Sequence, residues 1–298
     1  MQRNPQKLDE AVAVLERAGH GVTRVSTKGP GTAGDQARQA IEGGADLILA
    51  CGGDGTINEV AGGVIGSDVP LAILPGGTAN VLSMETGQGS NLSKTAATIS
   101  SLMPRRISVG RLEMDGKPAR HFLMMLGAGL DARVVDAVKP GIKRKLGKVA
   151  YWIAGLMQTG KTLEECYVHT SSGKVKAGFV LVSRIRNYGG DLEIASSVSL
   201  LDDDFEVVLF EGANSFRYLP YFAGVITGQH RRIPGVHILR TTEVRLEPAN
   251  GQRILIQADG ELSGVAPASI KIIPAAINVL LPQRYIESRQ ARLKPRAD

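Results

Sequence analysis

The chain has 298 residues, 43% hydrophobic and 21% charged, with a net charge of +6. No apolar run approaches the roughly 18 to 20 residues a membrane span needs, and with 4% aromatic residues and no basic-aromatic interleaving, nucleic acid is excluded as the expected partner. Cys51 and Cys166 are too few for a disulfide framework and lack the clustered histidines of a zinc site.

Taken in order, residues 1–5 carry no hydrophobic signal region, so a cytoplasmic protein is expected. Leu8, Ala11, Val12, Leu15 and Ala18 share one helical face, and glycines at 19 and 21 close that helix. Residues 21–27 read as a strand and 33–41 as a second helix. The apolar run 46–50, bounded by Gly43-Gly44, reads as a buried parallel strand. It leads into Cys51-Gly52-Gly53-Asp54-Gly55-Thr56-Ile57-Asn58-Glu59, and helical spacing covers 56–65.

Glycines at a strand-to-helix junction let backbone N–H groups approach a ligand, and the helix N-terminus favours phosphate. A carboxylate there, Asp54, makes sense if a divalent cation lies between it and the phosphates. Taken alone, the segment could equally be an ordinary tight turn. A second strand, 70–74, ends in Pro75-Gly76-Gly77-Thr78-Ala79-Asn80 before a helix beginning at Val81. Two glycine turns at the ends of consecutive parallel strands favour a Mg2+-nucleotide site.

Residues 92–102 read as a helix, and Pro104-Arg105-Arg106 as a hinge, giving domains 1–105 and 106–298. Beyond the hinge, alternation predicts strands at 107–112, 122–126, 174–182, 205–210, 242–246, 253–257 and 269–273, the pattern of an antiparallel sandwich. Residues 139–157 run from lysines and Arg144 into a helix holding Trp152. That suits an anionic membrane surface, or equally a core-packed helix with a solvated basic end. Asp259-Gly260-Glu261 could bring two carboxylates close enough to raise the pKa of one, or be a plain hairpin turn.

Gly52-Gly53-Asp54-Gly55-Thr56 with Pro75-Gly76-Gly77-Thr78-Ala79-Asn80 resembles the diacylglycerol kinase family, related to sphingosine and ceramide kinases. Gly127-Ala128-Gly129-Leu130-Asp131-Ala132, Asn187-Tyr188-Gly189-Gly190 and Asp259-Gly260-Glu261 extend the resemblance in order along nearly the whole chain. It implies an α/β N-terminal domain with a parallel sheet, an all-β antiparallel C-terminal sandwich, and ATP-dependent, Mg2+-assisted phosphorylation of a diacylglycerol-like lipid hydroxyl. The implied nucleotide contacts are Thr27, Gly52, Gly53, Asp54, Gly55, Thr56, Ile57, Asn58, Glu59, Gly76, Gly77, Thr78 and Asn80, with Asp54 also organising Mg2+. Glu261 matches the proton acceptor, assisted by Asp259.

The resemblance also implies a structural Mg2+ held by backbone carbonyls of Ser199 and Asp204 and the side chain of Asp202. Three departures stand against it. A first strand before the first helix is missing, Val81 replaces an aspartate, and Asp203 replaces a glycine. Peripheral contact with the inner face of an anionic membrane is expected, and a homodimer is left open. The alternatives are a NAD kinase-like small-molecule kinase and a non-catalytic lipid- or nucleotide-binding relative.

Overall fold

The computed structural model describes residues 5–137, 162–189 and 192–293. Its chain opens with helices α1 (Pro5–Arg17) and α2 (Ala33–Glu42), then β1 (Ile48–Gly52), α3 (Asp54–Val64), β2 (Leu71–Pro75), α4 (Val81–Glu85), α5 (Leu92–Thr98) and β3 (Met103–Glu113). There follow β4 (Arg120–Phe122), β5 (Met125–Gly129), α6 (Leu130–Ala137), β6 (Cys166–Thr170), β7 (Gly173–Ala177), β8 (Phe179–Ser183), β9 (Asn187–Gly189), β10 (Leu192–Glu193) and β11 (Phe205–Phe210). The remainder is α7 (Tyr218–Ile226), β12 (Val236–Thr241), β13 (Glu243–Pro248), β14 (Leu255–Ala258), β15 (Glu261–Val265), β16 (Ala268–Leu281) and α8 (Gln283–Leu293).

These elements divide into two compact units. The first comprises the described residues up to Ser108 together with those from Ala275 on; the second runs from Val109 to Pro274. The described residues from Ala275 on, read from sequence as part of the second domain, group with the first unit.

In the first unit β2 lies between β1 and the end of β16, parallel to both, with Ile48 opposite Leu71 and Val279 opposite Leu71. A central strand covered on both faces must be apolar throughout, and all five residues of β2 are buried. Ala11 and Leu15 of α1, Ala96 of α5 and Leu280 of β16 pack with Ala72 and Leu74 of β2. The strand expected at 21–27 is not formed. Among the described residues nothing ladders with this stretch, and Val25 is left exposed, since alternation alone supplies no hydrogen-bonding partner.

In the second unit one sheet carries β13 between β6 and the start of β16, with β7 outside β6; the other has the order β12-β11-β8-β5-β14-β15. Phe122, Phe205, Val207, Leu246 and Ile256 share its core, and the Phe122 and Phe205 rings stack at 5.9 Å. This is the expected sandwich. Two segments that read as single strands break where the chain changes sheets: 122–126 at Leu123-Met124, and 174–182 at Gly178. A Cβ on Gly178 would stand 2.6 Å from the Tyr218 hydroxyl, so the corner closes only around glycine. The expected basic-aromatic helix at 139–157 lies outside the described residues.

Candidate active site

β1 ends at Gly52, and α3 begins at Asp54, two residues before the helical spacing predicts. Gly53, its N-cap, is extended and provides no side-chain cap, so the positive end of the helix dipole at the carboxyl end of β1 is left without a side-chain acceptor. Asp54 sits in the first turn, and its Oδ1 accepts the Leu82 amide at 3.4 Å, tying α3 to the start of α4.

The second glycine turn packs directly on the first. The Gly76 amide donates to the Gly52 carbonyl at 2.9 Å, and the Gly77 amide to Asn80 Oδ1 at 2.8 Å. Asn80 is buried and left-handed, and its Nδ2 returns a bond to the Gly77 carbonyl at 3.3 Å. A Cβ on Gly77 would meet Gly53 Cα at 2.5 Å, closer than real contacts allow. The Gly76 and Gly77 amides, expected as phosphate donors, are thus spent holding the two turns together. The N-terminal turn of α3, whose N-cap gives no side-chain bond, is the remaining candidate for an anion.

Other candidates have structural work. Ile57 is buried in the core, and Glu59 accepts the Gly31 and Ala33 amides at 2.9 and 3.2 Å, serving the start of α2, which lacks a side-chain cap from Thr32. Thr27 is exposed in the unladdered stretch, Thr78 is exposed in the second turn, and Gly55, Thr56 and Asn58 lie half-buried in α3.

In the second unit Asp259 and Gly260 form a two-residue hairpin turn with positive φ at both, so that Ala258 pairs with Glu261. The two carboxylates are differently engaged. Asp259 is buried and accepts three amides, from Leu123 at 2.8 Å, Met124 at 3.0 Å and Met125 at 2.9 Å. Glu261 is half exposed and pairs with Arg120 at 2.8 Å. Asp259, expected to assist Glu261, is thus also tied to the sheet corner by backbone donors.

Behind this hairpin lies a group the sequence reading quoted but gave no role. Asp131, buried at the start of α6, accepts the Tyr188 hydroxyl and Gln257 Nε2, the latter at 2.8 Å, while Gln257 Oε1 accepts the Gly260 amide at 2.8 Å. Burial pushes the Asp131 carboxyl up to about 6, against the hydrogen bonds from Tyr188 and Gln257. Three of the motifs therefore meet around one hairpin. An aspartate within an otherwise apolar strand-to-helix run was the available signal.

A profile of the diacylglycerol kinase catalytic domain matches residues 1–112, and one of the YegS C-terminal NAD kinase beta sandwich-like domain matches residues 124–281. The chain belongs to the diacylglycerol kinase family. It is 28% identical over 287 residues to a diacylglycerol kinase of Bacillus subtilis, covering 94% of this chain and 92% of that one. To a diacylglycerol kinase of Mycobacterium tuberculosis it is 27% identical over 249 residues, covering 82% and 79%. A crystal structure of a putative diacylglycerol kinase from Bacillus anthracis superposes with a TM-score of 0.79, covering 94% of this chain and 91% of that one; at 21% identity it speaks for the fold alone. This is a lipid-kinase family, and among the described residues no helix is long and apolar enough to cross a membrane.

The structural ion implied by the family resemblance does not fit the turn 199–204. The Ser199 carbonyl accepts the Asp202 amide at 3.0 Å, and Asp202 Oδ2 accepts both the Ser199 amide at 3.1 Å and Arg240 at 2.7 Å. Arg240 also binds both oxygens of Asp204 and, at 2.8 Å, the Ser197 carbonyl. From the buried side Arg184 donates to the carbonyls of Leu200 at 2.9 Å and Asp202 at 3.1 Å. Burial works against the charge of Arg240, but the Asp204 and Asp202 carboxylates outweigh it and hold its pKa above the ordinary value. A dication would enter between two fixed guanidinium groups, and no cluster of three metal-ligating side chains occurs among the described residues. Chelation by EDTA without nucleotide is therefore expected to leave Tm unchanged, whereas Arg240→Leu should cost about 2 kcal/mol by stranding two carboxylates. A clear fall in the parent's Tm with EDTA would return an ion to this turn.

Proposed function

We propose that this protein transfers the γ-phosphoryl group of ATP to a hydroxyl of a diacylglycerol-like lipid. The observation that carries the reading is the first turn of α3, whose N-cap supplies no side-chain acceptor and which holds Asp54. Those residues fit a metal-bound polyphosphate: amides and dipole favour phosphate, and a carboxylate beside them favours a dication. Bound Mg2+-ATP would supply the transferable phosphoryl group and neutralise its charge. The chain's own part is positioning. Gly76, Gly77 and Asn80 brace the α3 turn, Asp54 orients the metal, and Glu261, steadied by Arg120, accepts the proton of the acceptor hydroxyl. The relatives named diacylglycerol kinase support the acceptor class.

The test is phosphate transfer from labelled ATP to diacylglycerol, sphingoid, polyprenol and NAD acceptors, with Mg2+-ATP thermal stabilisation measured alongside. At nucleotide about a hundredfold above Kd the parent should gain about 2.7 kcal/mol, and Asp54→Asn should lose most of that gain and the transfer with it. Transfer to NAD alone would make it a small-molecule kinase. Transfer to none would sink the reading.

A further inference from the structure

α7 turns its outer face the wrong way for an ordinary surface helix. Its inner face is anchored: Tyr218, Tyr221 and Val225 are buried, the Tyr221 ring lies 4.9 Å from that of Phe210, and the Tyr218 hydroxyl donates to the Phe210 and Gly212 carbonyls. The outer face should then be polar. Instead Phe216, in the turn leading into the helix, is 59% exposed, Leu219 45% and Ile226 63%, with exposed Ala223 completing the helical stripe. These are three of the seven large apolar side chains exposed among the described residues, gathered within eleven positions. The surrounding segment 212–235 contains no Asp or Glu and three arginines, Arg217, Arg231 and Arg232, all exposed.

We propose that this face of α7 docks the protein on an anionic lipid bilayer. An apolar stripe with cations, in a segment that contains no carboxylate, matches the boundary between acyl chains and anionic headgroups, where the side chains enter the lipid and the arginines meet phosphate. A second copy of the same surface would set arginines against arginines, which disfavours a self-paired face. The inference rests on the lipid as acceptor, because a kinase whose acceptor is dissolved in a bilayer must reach the interface. Arg231 also pairs with the buried Glu206, so it is the arginine with a structural duty and is left intact in the test.

The full chain is sedimented, without nucleotide, with phosphatidylcholine vesicles prepared with or without phosphatidylglycerol. The parent is expected to bind the anionic vesicles, less so as salt rises. Phe216→Ser with Leu219→Ser and Ile226→Ser should weaken that binding by about tenfold or more, and Arg232→Glu should weaken it further, with Tm unchanged. Transfer of phosphate to a water-soluble short-chain diacylglycerol should be the same in parent and variants, which separates docking from catalysis. Binding retained in the triple variant overturns the proposal, as does a parent that ignores anionic vesicles. A parent dimer that the triple variant dissociates, with no vesicle binding, overturns it in favour of self-association.

Discussion

Glu261→Gln is expected to lower kcat by about a hundredfold or more while leaving nucleotide affinity and Tm near those of the parent. Glutamine keeps the size of the side chain and an oxygen for Arg120, but it cannot take up the proton that an alcohol loses as it bonds to phosphorus. Because Glu261 is half exposed and its ion pair with Arg120 is solvated, little stability rests on it. The measurement is kcat and KM for the lipid with an unfolding curve on the same preparation. An active parent whose Gln variant keeps its kcat would remove Glu261 from the chemistry.

The neighbouring carboxylate should behave in the opposite way. Asp259→Asn retains shape but places an NH2 group among the amides of Leu123, Met124 and Met125, all buried. At about 1 to 3 kcal/mol for each buried donor left unsatisfied, the loss should be about 3 kcal/mol or more. For a chain of 298 residues that lowers Tm by roughly 5 °C. Urea unfolding would measure it directly. A variant as stable as the parent but inactive would mean that Asp259 serves the reaction rather than the sheet corner.

The contrast between these two residues shows what could be read in advance. The glycine turns, the parallel β1 and β2 and the change to alternating strands were legible because each is written in local spacing. The duties of Asp259 and Glu59 were not, because each is decided by a backbone amide brought from elsewhere: Asp259 by residues more than a hundred positions away, Glu59 by the start of α2. Strand breaks at Leu123-Met124 and Gly178 escaped for a related reason, since alternation continues unbroken through a corner. The resemblance implied an ion at the acidic turn, yet the counter-charge there, Arg240, sits on β12, a strand the spacing did not reveal.

The division of the chain into units has a bearing on biosynthesis. The second unit is contiguous, but the first is assembled from both ends of the chain, and Val279 of β16 is the parallel neighbour of Leu71 in β2. On a ribosome the sandwich can close while β2 still lacks that neighbour, so the first unit is the last to mature. Until residues near 279 emerge, one side of β2 is an open apolar edge, the kind of surface that recruits chaperones or other nascent strands. Premature termination between residues 275 and 279 would therefore spare the sandwich and disable the half that carries Asp54.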